Sequence, residues 1–253
     1  MQPTQQKAWR AGRFWWDWPS PAQPQPLTKL SAVIVDLDAL ADVESAGHRR
    51  AFNAAFAALG LDIAWSEPRY RQLQALADER RRVAAELRKR GVSSECDVLA
   101  ELLVDEICAT KAMILDETIL DADIAARPGM VDLLTEAYGA GVGVGIVSSG
   151  SHGWVEPLVR QLIGEGIAGA VVTTDDVPRK ELYAAALAEL GAPVNDSLAF
   201  AGSQASQRIA TATGLATVLV EGDSAGGGAP LRVADCQRAH DAWWETHPRP
   251  TAA

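Results

Sequence analysis

The sequence predicts an α/β fold in which a parallel sheet is interrupted, directly after its first strand, by an all-helical insert. Three observations carry this reading. Short β-branched runs alternate with stretches of helical spacing from residue 128 onward. An isolated run of the same kind, SAVIVDLD, ends in two carboxylates, Asp36 and Asp38. Everything between that run and residue 128 carries helical spacing alone. Strands that alternate with helices pair in parallel through right-handed crossovers, which sets the fold class.

The elements follow in chain order. Residues 1–29 are rich in Gln and Pro and hold Trp9, Trp15, Trp16 and Trp18, followed by Pro19, Pro21, Pro24 and Pro26, which forbid a continuing helix. This stretch reads as a tail that builds no core of its own. Tryptophans left bare in water are costly, so the tail either lies back on its own domain or contacts a protein partner. From Leu30 the run SAVIVDLD reads as a buried strand opening on a site at its C-terminal end. Ala51, Phe52, Ala55, Phe56 and Leu59 then share a helical face closed by Gly60, and RYRQLQALADERRRVAAELRKR and ECDVLAELLVDEICATKAMIL continue as helices. Pro128 starts a helix through Tyr138, and VGVGIVSS is the second strand. Ala170 to Thr174 is the third strand, SLAFAG the fourth and ATVLVEG the fifth, with ELYAAALAELG and QRIATATG as intervening helices. DCQRAHDAWWETH is a final helix with Trp243 and Trp244 on or near the surface. The resulting division is a tail at 1–29, a core at 30–40 and 128–253, and a helical cap at 41–127.

Composition bounds the function. With 253 residues, 48% apolar and 22% charged, the chain can bury a full core. A net charge of −10 opposes phosphate backbones and anionic lipid, so neither nucleic-acid binding nor membrane-surface binding is expected. Cys96, Cys108 and Cys236 are too few and too widely spaced for a disulfide framework or a zinc cluster. No apolar h-region accompanies Lys7, Arg10 and Arg13, and no long uncharged apolar run occurs, so a reduced, cytoplasmic setting is expected.

In an open α/β sheet, ligands bind beyond the carboxyl ends of the strands. Those ends read Asp36 and Asp38, Ser148 and Ser149, Thr173 to Asp176, and Ala201, Gly202 and Ser203. This order, with a helical insert after the first pair, resembles the haloacid dehalogenase superfamily, and most of all its CbbY and β-phosphoglucomutase-like branch. The likeness runs from about Leu30 to Val220, and the cap run GHRRAFNAAFAALGLDIAW is its most specific part. The resemblance implies a three-layer core with sheet order 3-2-1-4-5. It also implies Asp36 as nucleophile, Asp38 as general acid/base, Ser148 with Ser149 as holders of the phosphoryl oxygens, and Lys180 as the neutralising cation. His48 falls where the branch places a histidine near substrate, although a helix-start histidine also packs or caps. Arg82 matches a family arginine, while Arg80, Arg81, Arg88, Lys89 and Arg90 read as a solvated helix face.

Departures from the family pattern are as informative. Ala39 and Leu40 replace the Gly-Thr of the first turn, Asp78, Glu79 and Arg80 stand where a Gly-Gly-Lys loop is expected, and Lys180 lies three residues nearer Tyr183 than in the family. The acidic pair that should end the fourth strand and ligate magnesium is replaced by Ala201 and Gly202. Magnesium is held by only one or two protein carboxylates, so Asp36 and the Asp38 carbonyl would hold it nearly alone. Asp175, Asp176, Glu221 and Asp223 are the acids from which a substitute could come. The expectation is therefore a pseudo-phosphatase without a bound cofactor, kept for binding a partner or ligand. Two alternatives stand beside it: a magnesium-dependent phosphatase of a sugar phosphate such as xylulose bisphosphate, and a scaffold subunit anchored by its tryptophan-bearing N-terminus.

Overall fold

The computed structural model describes residues 6–10, 13–17, 30–76, 78–92, 97–220 and 232–247. Five strands form one parallel sheet: β3 (Ala32–Asp36), β4 (Gly143–Val147), β5 (Ala170–Val172), β6 (Ser197–Ala201) and β7 (Ala216–Leu219). Their spatial order is β5-β4-β3-β6-β7, which is the 3-2-1-4-5 order expected. Every residue of β3 and of β6 is buried, as a central strand covered on both faces requires.

Helices cover both faces. On one side α6 (Met130–Gly139), α7 (His152–Ile163) and α10 (Val233–Thr246) pack over Val33, Val35, Val144 and Ile146. On the other, α8 (Leu182–Leu190) and α9 (Gln204–Ala212) pack over Ala32, Ile34 and Ala199. Burial so divided follows the two-residue period of the strands. Helix α8 stops at Gly191, whose φ of 62° is the left-handed conformation that glycine adopts without strain.

A short helix, α1 (Leu37–Leu40), carries the chain out of β3, and the described elements between residues 41 and 127 are helical. Here α2 (Arg49–Ala58), α3 (Glu67–Leu73), α4 (Glu79–Lys89) and α5 (Asp97–Thr118) enclose a separate core of Phe52, Phe56, Trp65, Tyr70, Val83 and Ile107. The run expected as one helix from Arg69 to Arg90 is two. Asp78 accepts the Arg81 N–H at 2.8 Å and caps α4, a local bond that competes with continuing α3. The outgoing and returning linkers meet in an Ala41–Ala126 bridge, and the Arg127 N–H donates to the Leu40 carbonyl at 2.7 Å.

Within the N-terminal stretch, β1 (Gln6–Arg10) and β2 (Arg13–Asp17) pair antiparallel, with Trp9 opposite Phe14 and Lys7 opposite Trp16. The tail therefore contains a two-stranded hairpin. Trp18 and the proline run lie outside the described residues, as do Glu221 and Asp223. The described C-terminal helix is as expected, with Trp243 and Trp244 half-buried against each other at 4.9 Å.

Candidate functional site

The carboxyl ends of β3, β4 and β6 meet in one cleft. It is lined by Asp36, Asp38, Ser148, Ser149, Arg179, Tyr183 and Ser206, with apolar walls from Val147, Leu182 and Ile209. Asp36 is the last residue of β3 and is 8% exposed. Its Oδ1 accepts the Asp38 N–H and its Oδ2 the Gly202 N–H, both at 3.3 Å. Burial raises the Asp36 pKa, against the pull of Ser206, the two backbone N–H groups and the positive Arg179. Asp38 is pushed well above the usual carboxylate range, first by burial and then by the charges of Glu44 and Asp36, with Arg127 opposing. Two neighbouring acids thus differ in how firmly each keeps its proton.

Ser148 is buried beyond β4, and its hydroxyl accepts the Gly150 N–H at 3.0 Å. Gly150 is obligatory there, because an added β-carbon would lie 2.1 Å from the Trp154 ring. Ser149 is exposed, and its carbonyl accepts the Thr174 hydroxyl at 3.0 Å. The Tyr183 and Ser206 hydroxyls are 2.6 Å apart, which ties α8 to α9 beside Asp36.

Lys180 is not brought to this cleft. Its side chain is 79% exposed and lies 3.6 Å from Glu181, while the preceding residue, Arg179, also exposed, lines the cleft. The shortened loop brings Lys180 into a single 3-10 turn, Arg179–Glu181, just before α8, and the residue that reaches inward is one position earlier than the family alignment implied. On the cap side, His48 Nδ1 is 2.7 Å from the Lys111 ammonium and 3.2 Å from Glu79 Oε1, and its ring meets Trp154 of α7 edge-on at 6.1 Å. Lys111, only 4% exposed, donates to Glu79 at 2.6 Å. Arg82 lies over the Tyr70 ring and 3.8 Å from Glu44, which accepts the Tyr70 hydroxyl at 2.6 Å. His48 and Arg82 thus belong to ion-paired groups of the cap, and neither lines the cleft around Asp36.

Sequence reasoning missed Arg179, Ser206, Tyr183 as a hydroxyl partner, and Lys111. Lys111 did leave a signal: Val104, Ile107, Lys111 and Leu115 form one buried helical stripe of α5, and a lysine inside such a stripe needs a buried partner.

Magnesium can be tested against these residues. It demands near-octahedral oxygens at about 2.1 Å and a small number of carboxylates. Both Asp36 oxygens already accept backbone N–H groups, and the Asp38 carbonyl accepts Arg127 Nε at 3.2 Å. Ala201 is fully buried, and a β-carbon at Gly202 would sit 2.5 Å from the Asp38 carbonyl carbon and 2.6 Å from the Ala39 nitrogen. Asp175 accepts the His152 N–H at 2.8 Å and Asp176 the Thr173 N–H at 2.8 Å, so the first is held to the start of α7 and the second within its own loop. Among the described residues no group of three His, Cys, Asp or Glu side chains could hold a metal. The described residues do not fit the ion.

Comparison with known proteins agrees with the family resemblance and the fold. The family profile of haloacid dehalogenase-like hydrolases matches residues 30–203. The protein CbbY of Cereibacter sphaeroides is 31% identical over 201 residues, covering 76% of this chain and 85% of that one. A plasmid-borne CbbY of Cupriavidus necator is 31% identical over 198 residues, covering 75% and 78%. Among solved structures, CbbY from Rhodobacter sphaeroides in complex with phosphate superposes with a TM-score of 0.60 at 28% identity, covering 79% of this chain and 90% of that one. A mutant of that protein in complex with xylulose-(1,5)bisphosphate gives 0.60 at 29% identity, covering 76% and 87%.

Proposed function

The chain belongs to the haloacid dehalogenase-like hydrolases, in the CbbY-like branch, and from that premise we propose that it hydrolyses a phosphorylated sugar slowly through Asp36. One observation carries this: Asp36, Asp38, Ser148 and Arg179, a nucleophile, an acid, a hydroxyl and a cation, line a single cleft at the strand ends. Asp36 attacks phosphorus, and the ester oxygen leaves with a proton from Asp38. Water then attacks the aspartyl-phosphate, returns its proton to Asp38 and frees inorganic phosphate. The raised pKa of Asp38 suits a group that donates a proton; burial raises Asp36 as well, and Ser206, the two N–H bonds and Arg179 oppose that rise. Support for a sugar phosphate comes from the CbbY relatives, one solved with a pentulose bisphosphate. Loss of the fourth-strand acids removes a stabiliser of transition-state charge, and one such loss commonly costs about 10²–10³ in rate.

A second reading, a pseudo-phosphatase that binds without turnover, is favoured by one feature. The loop at Gly202 closes on Asp38, so the fourth strand has no space for an acid beside the two aspartates. Assay of an aryl phosphate and a sugar-phosphate panel, beside Asp36→Asn, separates the two. Turnover abolished by Asp36→Asn is the expected result; a wild-type rate no higher than that variant's on every substrate favours the second reading.

A further inference from the structure

We propose that this cleft holds its phosphate-bearing ligand through the Arg179 guanidinium and takes no divalent cation. The inference rests on the phosphate-ester reading above and adds how the anion's charge is met.

Two carboxylates at the end of β3 repel a phosphate unless a positive group stands between or beside them. Among the described residues, the positions at the ends of β3 and β6 from which protein could present a metal are closed. Gly202 sits so near the Asp38 backbone that a β-carbon would come within 2.5 Å of it, so an acid at this position has no space without moving the first-strand turn. The Asp38 carbonyl is engaged by Arg127 Nε at 3.2 Å. Ala201 points a methyl group into a fully buried position. Among the described residues that line the cleft, the basic one is Arg179, whose charge acts on Asp36. A planar guanidinium offers two parallel N–H groups to two phosphate oxygens, which a metal-free site needs and a lysine ammonium does not supply in the same geometry. Its place directly before Lys180 explains why a shortened loop still delivers a cation: in the exposed turn Arg179–Glu181 the first basic residue lines the cleft and the second does not.

The test uses the full-length chain, inorganic phosphate and magnesium chloride as probes, and isothermal titration calorimetry. Magnesium alone is expected to give no saturable heat, and phosphate to bind equally with EDTA and with excess magnesium. Arg179→Met is expected to weaken phosphate binding on the order of 10-fold or more, the scale of a lost charge-assisted hydrogen bond. Lys180→Met, which changes an exposed neighbour, is expected to bind as wild type. Phosphate binding that requires magnesium, or that survives Arg179→Met, overturns the inference while leaving a phosphate site in place. No phosphate binding under either condition, in protein with a native melting transition, overturns the inference and the phosphate-ester reading together. The EDTA and magnesium arms use wild-type protein, so the outcome does not depend on how the variants fold.

Discussion

Replacing Gly202 with alanine adds one methyl group at the point where β6 meets the turn after β3. That methyl would lie 2.5 Å from both the carbonyl carbon and the β-carbon of Asp38, and 2.6 Å from the Ala39 nitrogen. Two of those three atoms are backbone, and Ala39 is fully buried, so no side chain can rotate away to make room. Overpacking of this kind costs about 1–3 kcal/mol, and a collision with main chain belongs at the upper end. At about 2–4 °C per kcal/mol for a chain of this size, a cost of about 3 kcal/mol lowers the melting temperature by about 6–12 °C. Thermal unfolding followed by far-UV circular dichroism measures it. Gly202→Asp makes the companion experiment. Were the site merely short of one ligand, that variant would gain a magnesium-dependent rise, since a ligand at a hundred times its Kd adds about 2.7 kcal/mol. Here the aspartate is expected to be as destabilising as alanine and to stay insensitive to magnesium. A Gly202→Ala protein that melts like wild type, or a Gly202→Asp protein stabilised by magnesium, refutes the steric account.

Other expectations rest on separate features. Gly150→Ala drives a methyl group into the buried Trp154 ring and should cost about 1–3 kcal/mol, with the Ser148 hydroxyl losing its set position; an unchanged melting temperature would contradict the packing. For Glu79, burial opposes the charge, but the hydrogen bond to His48 and the Lys111 ammonium win and hold the pKa down to about 2 from 4.5. A lowered folded-state pKa adds stability that is present above pH 4.5 and is lost as the pH falls toward 2. The side chain is 35% exposed, so solvent screening reduces the effect to about 1 kcal/mol. Glu79→Gln should flatten the acid limb of a melting-temperature profile in that window, and an identical slope would count against the cap ion pair. Tyr183→Phe removes the 2.6 Å contact with Ser206 and should cost about 1 kcal/mol, measured by urea unfolding; a change within error would mean that water replaces the hydroxyl freely.

Much of the architecture was legible because burial imposes period. The runs AVIV and VGVGIV are covered on both faces, and a fully covered strand shows as an unbroken β-branched run. Asp36 and Asp38 were readable for the same reason: two acids ending a buried strand have few roles other than function. The α3–α4 break was not read, since one helical period runs through both pieces and its local sign, the N-capping Asp78, sits inside that period. Arg179 and Lys180 are adjacent basic residues, and which one faces the cleft depends on the phase of a single short turn that no pattern in PRKEL encodes. Lys111 left a sign in the buried stripe of α5, but the acid that compensates it is on another helix, which the sequence of α5 does not name. The pairing of β1 with β2 was missed for a different reason: the prolines that rule out a helix lie after the tryptophan cluster, and they say nothing against strands before it.

The two linkers that join the halves of the chain run side by side, and the return linker does more than close the insert. Arg127 binds Leu40 with its backbone and the Asp38 carbonyl with its side chain. Any swing of the helical half about this pair of crossings therefore tugs on the peptide that carries the acid.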